Sequence, residues 1–537
     1  MLIYMRQTIL RAVVLSSLLI TSLIGIQILG SPTAAAVASD PKMFVSGDNT
    51  FYAYVKSGET VGANFLKSAQ VEPLGLPAVD IAVTLEGPGV PQKKCMIAKD
   101  VATGQGCGFK DVIAPKSGIW RIQFDVPDTG QLYPQVSPTV RWNRNMFSWS
   151  IAVADSAGEK KGRVWSELYS IRQPIEAGYD TNLLYYYVSE SGYVYRATYK
   201  GYNGQISTLS ADAFGIRQGE TCMSAYQSVT VDDAKMSPAF GTCGGSYKLF
   251  FEQPSGDLPK NAEKWDEKND WISPAVSRPV VSDLSFEQDQ AGDMQSGKIS
   301  FLLKNYIGQF DIKIDTNNDG NFDATEDVKI IHQIKKLDSG RQEIQFKGMN
   351  GDGQPVPKSQ RIGIKIDIAK VAEIHLVNAD VEGRIDGLEI VRMNGDNAPS
   401  SRMCWDDTKL AAIDNQALKT EKTDGRLCPD STGGVHGWAY GTGSWGDMRY
   451  IDDWAYASAK VDGTAKILFP LNEEEMTAVV KKNNTALIIA IVSGALVLAI
   501  VGVVVTIVVK KKRRAAAIRA AQAAQIPPEQ YLPSQYN

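Results

Sequence analysis

Apolar and polar positions divide the chain into two distinctive ends and a long alternating middle. Near the start, Arg6 and Arg11 precede an apolar run from Ala12 to Leu29, and Ala36-Val37-Ala38 then forms an A-x-A site. This order predicts a signal peptide over residues 1–38 and export of the chain beyond it. Near the other end, Thr485 to Val509 is a stretch of 25 residues without a charge. As a helix it would be roughly 37 Å long, against about 30 Å of hydrocarbon, so one transmembrane helix is predicted over 485–509. Lys510 to Arg514 come immediately after it, and basic residues stay on the cytoplasmic side. The preceding region is therefore expected outside the plasma membrane, with a cytoplasmic tail over 510–537. No LPxTG-like wall-sorting motif precedes the span, so the helix itself is the expected anchor.

Between these ends the apolar residues recur with period two in short runs broken by Gly, Pro and Ser, the signature of strands. FYAYVKSGETV, VDIAVTLEG, GIWRIQFDV and FSWSIAVAD predict a β-sandwich domain over 39–155. A second β-rich domain is predicted over 160–253, where YYYVSESGYVYRATY (Tyr185 to Tyr199) reads as a hairpin around Ser189 to Gly192. Its tyrosines suit either half-buried strand positions or a platform on which sugar rings stack. Residues 254–280 turn polar and proline-bearing and are expected to be a linker. Strand patterns resume over 281–370, and a β-rich Trp/Asp/Gly-rich region occupies 371–475. The expected fold class is all-β: tandem sandwich domains of immunoglobulin-like size outside, and one C-terminal transmembrane helix.

The six cysteines fall as close pairs, Cys95/Cys107, Cys222/Cys243 and Cys404/Cys428. In an oxidising compartment sequential disulfides are the simplest reading, each worth roughly 3 kcal/mol through restriction of the unfolded chain. Reduced thiols or zinc ligands are the alternative, but no CxxC is present. The chain has a formal net charge of −4, and its two basic ends leave the middle more acidic still. That balance argues against nucleic acid as a partner and is compatible with divalent cations.

Acidic groups concentrate in DTNNDGNFDATED, residues 315–327. Its spacing resembles the calcium loop of EF-hand proteins: Asp315, Asn317, Asp319, Asp323 and Glu326 stand at positions 1, 3, 5, 9 and 12, with Gly320 at 6 and the Asn321 carbonyl at 7. Calcium takes six to eight oxygens, and a chain curling round one ion presents them at this spacing. The flanks alternate with period two, so the loop is expected to join strands and to hold structural calcium as a brace. An ion-free Asx-rich turn is the competing reading.

The segment 344–368, with FKGMNGDGQPVP before an alternating strand, resembles the immunoglobulin-like module of flagellar hook-capping proteins and of Gram-positive-type bacterial cell-surface proteins. Phe346 stands where that pattern usually has Trp, and Ser359-Gln360 where it has Gly-x-Tyr. The resemblance implies a β-sandwich and no activity. The blocks from Ala372 to Tyr456 are similar to membrane-proximal regions of envelope-anchored surface proteins.

A second acidic set, Asp406, Asp407, Asp447, Asp452 and Asp453, lies near Trp405, Trp438, Trp445 and Trp454. Paired carboxylates beside aromatic rings suit a glycosidase, a second ion or a sugar site, if they stand roughly 5–10 Å apart. No G-x-S-x-G elbow, H-E-x-x-H or Walker loop occurs, and the HGW around His436 reads as a structural turn. The expected function is thus a non-catalytic, membrane-anchored adhesion or interaction protein of a bacterial cell envelope, whose partner is an extracellular protein or glycan. The alternatives are a membrane-anchored carbohydrate-binding or carbohydrate-hydrolysing protein, and a receptor signalling through its tail. The single N-x-S/T sequon, Asn483 to Thr485, abuts the predicted membrane and favours a bacterial source.

Overall fold

The computed structural model describes residues 37–38, 50–71, 80–125, 145–172, 181–202, 206–230, 233, 236–238, 243–337, 340–379, 384–410, 423–438, 449–458, 461–463 and 466–469. The predicted signal peptide (but for Val37 and Ala38), the transmembrane helix 485–509 and the tail 510–537 lie outside these residues. Among the described residues no helix is long and apolar enough to cross a membrane. The secondary structure described is β throughout, apart from one 3₁₀ turn at Gly425–Leu427. The expected all-β class therefore holds.

The strands do not pair in the order in which the sequence presents them. One sheet of nine strands runs Leu388–Arg392, Val194–Tyr202, Thr181–Val188, Lys248–Phe250, Val164–Ser166, Thr50–Val55, Gly118–Asp125, Ile81–Gly87 and Val90–Ile97. It takes strands from three of the domains expected in tandem, so the boundaries drawn at 155–160 and 370–371 fall inside a continuous structure. The reason is physical. Alternation identifies a strand and its buried face but carries no information about which distant strand completes its hydrogen bonds.

Two further sheets close onto this one. The first, built from Asn145–Asp155, Thr60–Val71 and Gly106–Ile113 with shorter strands, covers one end and completes a sandwich. Phe51 meets Trp149 at 4.6 Å and Phe65 meets Phe124 at 4.8 Å across its core. The Cys95–Cys107 disulfide joins the edge strands of the two layers. The second, six-stranded, runs Leu168–Arg172, Ile206–Asp212, Lys370–Ala379, Arg449–Ser458 and Val229–Thr230, with Cys404–Trp405 also on Arg449–Ser458. The expected Tyr hairpin is present, Thr181–Val188 against Val194–Tyr202. Tyr185, Tyr187, Tyr195 and Tyr199 are buried, with the Tyr187 and Tyr199 hydroxyls 3.0 Å apart. These rings fill the core and form no sugar platform. The three disulfides pair in sequence order, Cys95–Cys107, Cys222–Cys243 and Cys404–Cys428.

A further sandwich is built mostly from residues 281–370, but each of its two four-stranded sheets takes one strand from later in the chain, Asp462–Gly463 in one and Lys466–Phe469 in the other. Val280–Gln288, Gly297–Lys304 and Gly340–Phe346 make one layer; Gly308–Asp315, Val328–Ile334 and Ile362–Asp367 make the other. Phe301 and Phe310 meet edge to face at 6.0 Å across it, and Phe346 is buried.

The segment expected to be a linker is docked. Leu258, Ala262, Trp265, Trp271 and Ile272 join a cluster with Tyr54, Ile119, Trp165 and Phe250 on the nine-stranded sheet. Trp265 stacks on Tyr52 at 5.9 Å beneath the Arg121 guanidinium. Asp257 binds the buried Arg163, which also reaches Glu59 at 3.1 Å. Polar composition marked this stretch as a boundary, but its two tryptophans and Ile272 supply the apolar area that fastens it down.

Candidate functional site

The densest set of ionisable side chains surrounds Arg449–Ser458, RYIDDWAYAS, a strand buried on both faces. Neighbouring residues of a strand point to opposite faces. Asp452 and Asp453, both wholly buried, therefore face different layers, and each meets a histidine.

On one face, His375 of the adjoining strand lies opposite Trp454, and its Nδ1 is 2.9 Å from Asp452 Oδ1. The Trp454 ring stacks on the imidazole at 5.8 Å, and Tyr226 closes the remaining side at 5.3 Å. Tyr226 donates its hydroxyl to Glu373 Oε1 at 2.8 Å, while Lys370 sits 3.6 Å above the phenol ring. Glu373 Oε1 stands 3.8 Å from His375 Nε2, too far for a hydrogen bond. Burial opposes the imidazolium, but the carboxylates of Asp452 and Glu373 overcome it and push the His375 pKa up to about 10. Asp212, opposite His375 on the other neighbouring strand, is raised by burial although the Phe214 and Gly215 amides bind it. Gly215 has φ +62, and a Cβ there would come within 2.5 Å of both Asp452 Oδ2 and His375 Nδ1. Only glycine lets the chain pass so close to the pair.

On the other face, His436 lies between two carboxylates, with Nδ1 2.5 Å from Asp453 and Nε2 2.7 Å from Asp407. Arg384, fully buried, reaches Asp453 at 2.6 Å and Asn378 at 3.3 Å. Trp405 stacks on His436 at 4.7 Å with the planes 10° apart, and Trp438 lies 5.2 Å away. Burial lowers the His436 pKa, but Asp407 and Asp453 outweigh it and raise it; burial works against Asp453 too, yet Arg384 and His436 hold it down. Two cations and two anions thus neutralise one another in a network completed by a loop, 433–437, beside a cavity of about 450 Å³.

The structure rearranges the sites expected from sequence. Of the acidic set, Asp407 and Asp453 are brought together on His436, with Arg384 also on Asp453, while Asp452 faces the other layer and pairs with His375. Asp406 caps the turn at Thr408. Trp405, Trp438 and Trp454 are core residues, so they offer no open sugar surface. Asp447 and Trp445 lie outside the described residues. The histidine partnerships were not visible beforehand, because the partners lie on separate strands and loops. One local signal existed: a doubled Asp inside an otherwise apolar strand demands buried cations.

The acidic loop does join two strands, Gly308–Asp315 and Val328–Ile334. Asp315 is buried and accepts from the Asp319 and Gly320 amides at 3.2 and 2.9 Å. Asn317 Nδ2 reaches Asp319 Oδ2 at 3.2 Å and Glu326 Oε1 at 3.1 Å, so these four side chains converge. Asp323 turns instead to Lys313, which also holds Asp367 at 2.8 Å. Asn321 accepts the Asp323 amide with its side chain at 3.1 Å. Among the described residues no group of three or more His, Cys, Asp or Glu side chains is arranged as a metal site. One orphan fits a cation nearby: Asp327 Oδ2 is buried without a hydrogen bond. Burial raises the Asp327 pKa first, and the charges of Asp315 and Asp319 raise it further.

No family model matches the chain, and no curated protein matches it. Among solved structures, it is similar at 11% identity to a crystal structure of a tetra-tandem repeat in the extending region of a large adhesion protein. The match covers 74% of this chain and 84% of the other, with a TM-score of 0.12. A likeness that faint carries no argument about fold or function.

Proposed function

We propose that the chain is an extracellular adhesion or interaction protein of a bacterial-type envelope, held in the plasma membrane by 485–509 and non-catalytic. The observation that carries this reading is the nine-stranded sheet, which draws on residues from Thr50 to Arg392 and merges three stretches of chain into one body. Three disulfides and the docked segment 254–272 fasten that body further. Such a body transmits force between a bound surface and an anchor without hinging. The buried His–Asp pairs serve that rigidity, and Trp454 and Tyr226 enclose the His375 pair. Incubation of the full chain with soluble polysaccharides tests the non-catalytic part: binding without release of reducing ends is expected, whereas sustained release would favour a hydrolase.

Calcium braces the 315–326 loop in this reading, through Asp315, Asn317, Asp319, the Asn321 carbonyl and Glu326, with Asp323 released from Lys313. The converging carboxylates and the orphaned Asp327 oxygen support it. Sites of this extracellular class bind at about 10⁻⁴–10⁻³ M, so 10 mM calcium stabilises the module by roughly 1.4–2.7 kcal/mol. Its melting temperature is expected to rise with calcium over chelator, and Asp319→Ala to abolish the rise. Identical melting in calcium and chelator contradicts the brace.

A further inference from the structure

We propose that the cleft beside Trp271 binds a neutral saccharide, an inference that rests on the interaction function above and supplies its ligand class. The cleft encloses about 530 Å³, within the ordinary range of small-ligand sites, and Asn261, Asn269, Asp270, Trp271 and Ser277 are among its lining residues. Its base is a short hairpin, Asn261–Glu263 against Asn269–Trp271. Asn261 lies directly across from Trp271, and Asn269 precedes it by two positions on the same strand. Alternation puts these three side chains on one face, with cross-strand neighbours about 5 Å apart. An indole is thereby flanked by two carboxamides. Both asparagines are exposed, and their side chains make no hydrogen bond among the described residues.

The indole is held from behind. Buried Lys248 places its ammonium 4.3 Å from the ring, and also binds Asp270 Oδ2 at 3.1 Å and Glu167 at 3.2 Å. Asp270 Oδ1 accepts the Trp271 amide at 2.9 Å, which fixes the carboxylate's orientation. Trp271 packs against the cluster of Trp165, Phe250 and Ile272, so ring and carboxylate are set before any ligand arrives. Preorganisation of this kind lowers the cost of binding.

The chemistry selects the ligand. A pyranose presents a C–H face that lies on an aromatic ring and a rim of hydroxyls that both donate and accept. Carboxamides do the same, which makes Asn261 and Asn269 matched partners. An apolar ligand would leave these amides unpaired. With Asp270 held by Lys248, the remaining charges of the lining, Glu190 and Lys260, balance, which suits a neutral ligand.

The test uses the full chain in lipid nanodiscs on an array of immobilised glucose, mannose, galactose and N-acetylglucosamine oligomers, followed by calorimetric titration with the best series. Wild type is expected to bind at least one series. The Asn261→Ala/Asn269→Ala variant is expected to weaken that binding about tenfold or more, the loss of two hydrogen bonds, with melting unchanged because both positions are exposed. Trp271→Phe, which keeps a ring, is expected to weaken it less. Binding to no series, or binding unaltered in the double variant, overturns the assignment. Retention of chain-displaying cells on deglycosylated protein surfaces is measured in parallel. Retention there without oligosaccharide binding overturns the cleft alone; retention on no surface overturns the interaction function as well.

Discussion

Asp453→Ala is expected to destabilise the body by roughly 3–5 kcal/mol, because it removes one partner from a buried charge network. The guanidinium of Arg384, fully buried, would lose its 2.6 Å carboxylate and keep His436 and Asn378 as its side-chain partners among the described residues. On the scale of a domain of 150–250 residues this is a fall in melting temperature of about 6–20 °C. Asp453→Asn, which keeps an acceptor for His436 but not the charge, should fall between that variant and wild type. The exposed pair Asp424–Arg426 gives the contrast. Water screens it already, so Asp424→Ala is expected to change the melting temperature far less than Asp453→Ala. Thermal melts of the three variants check the order, and equal losses from Asp453→Ala and Asp424→Ala would refute the network's role.

Alkaline destabilisation is the second large effect. His375 in the folded chain titrates at about 10, and an unfolded histidine titrates near 6.5. Folding thus binds a proton more tightly, so this contribution is fully present below about pH 6.5 and is lost as pH rises towards 10. His436 shifts in the same direction and adds to the loss. On the acid side the lowered Asp453 and Glu373 contribute stability until pH falls through their folded values. Asp212 and Asp452, raised by burial, work in the opposite sense there. Melting temperature is therefore expected to decline from neutral pH to pH 10, and His375→Gln to flatten the decline while lowering the neutral value. A profile that rises above pH 7 would contradict the paired histidines.

Local features were legible in the sequence where the cause is local. The hairpin from Thr181 to Tyr202 arises from β-branched and aromatic alternation around a Gly-bearing turn, and the loop at 315–326 joins strands because its flanks alternate. Cysteine proximity sufficed for all three disulfides. Sheet order was not legible, because Val194–Tyr202 pairs with Leu388–Arg392 far along the chain, with Arg196 and Glu389 in contact at a separation of 193 residues, and hydrogen bonds carry no label of their partner. Lys248–Phe250 is a three-residue strand that alternation cannot detect, yet it completes the sheet between Thr181–Val188 and Val164–Ser166. The same blindness hid the candidate site. Arg384, Asp407 and His436 carry ordinary loop contexts in sequence, and only the fold turns them inward onto Asp453.

The most direct measurement of the central claim is the retention, under flow, of cells displaying the full chain, compared with cells lacking it, on glycan-coated and protein-coated surfaces. Displaying cells should be retained on at least one surface, and retention should withstand mild reduction of calcium yet fail at a lower temperature for Asp453→Ala than for wild type. Equal detachment of displaying and non-displaying cells from every surface, with the chain confirmed outside the membrane, would contradict an adhesive or interaction function.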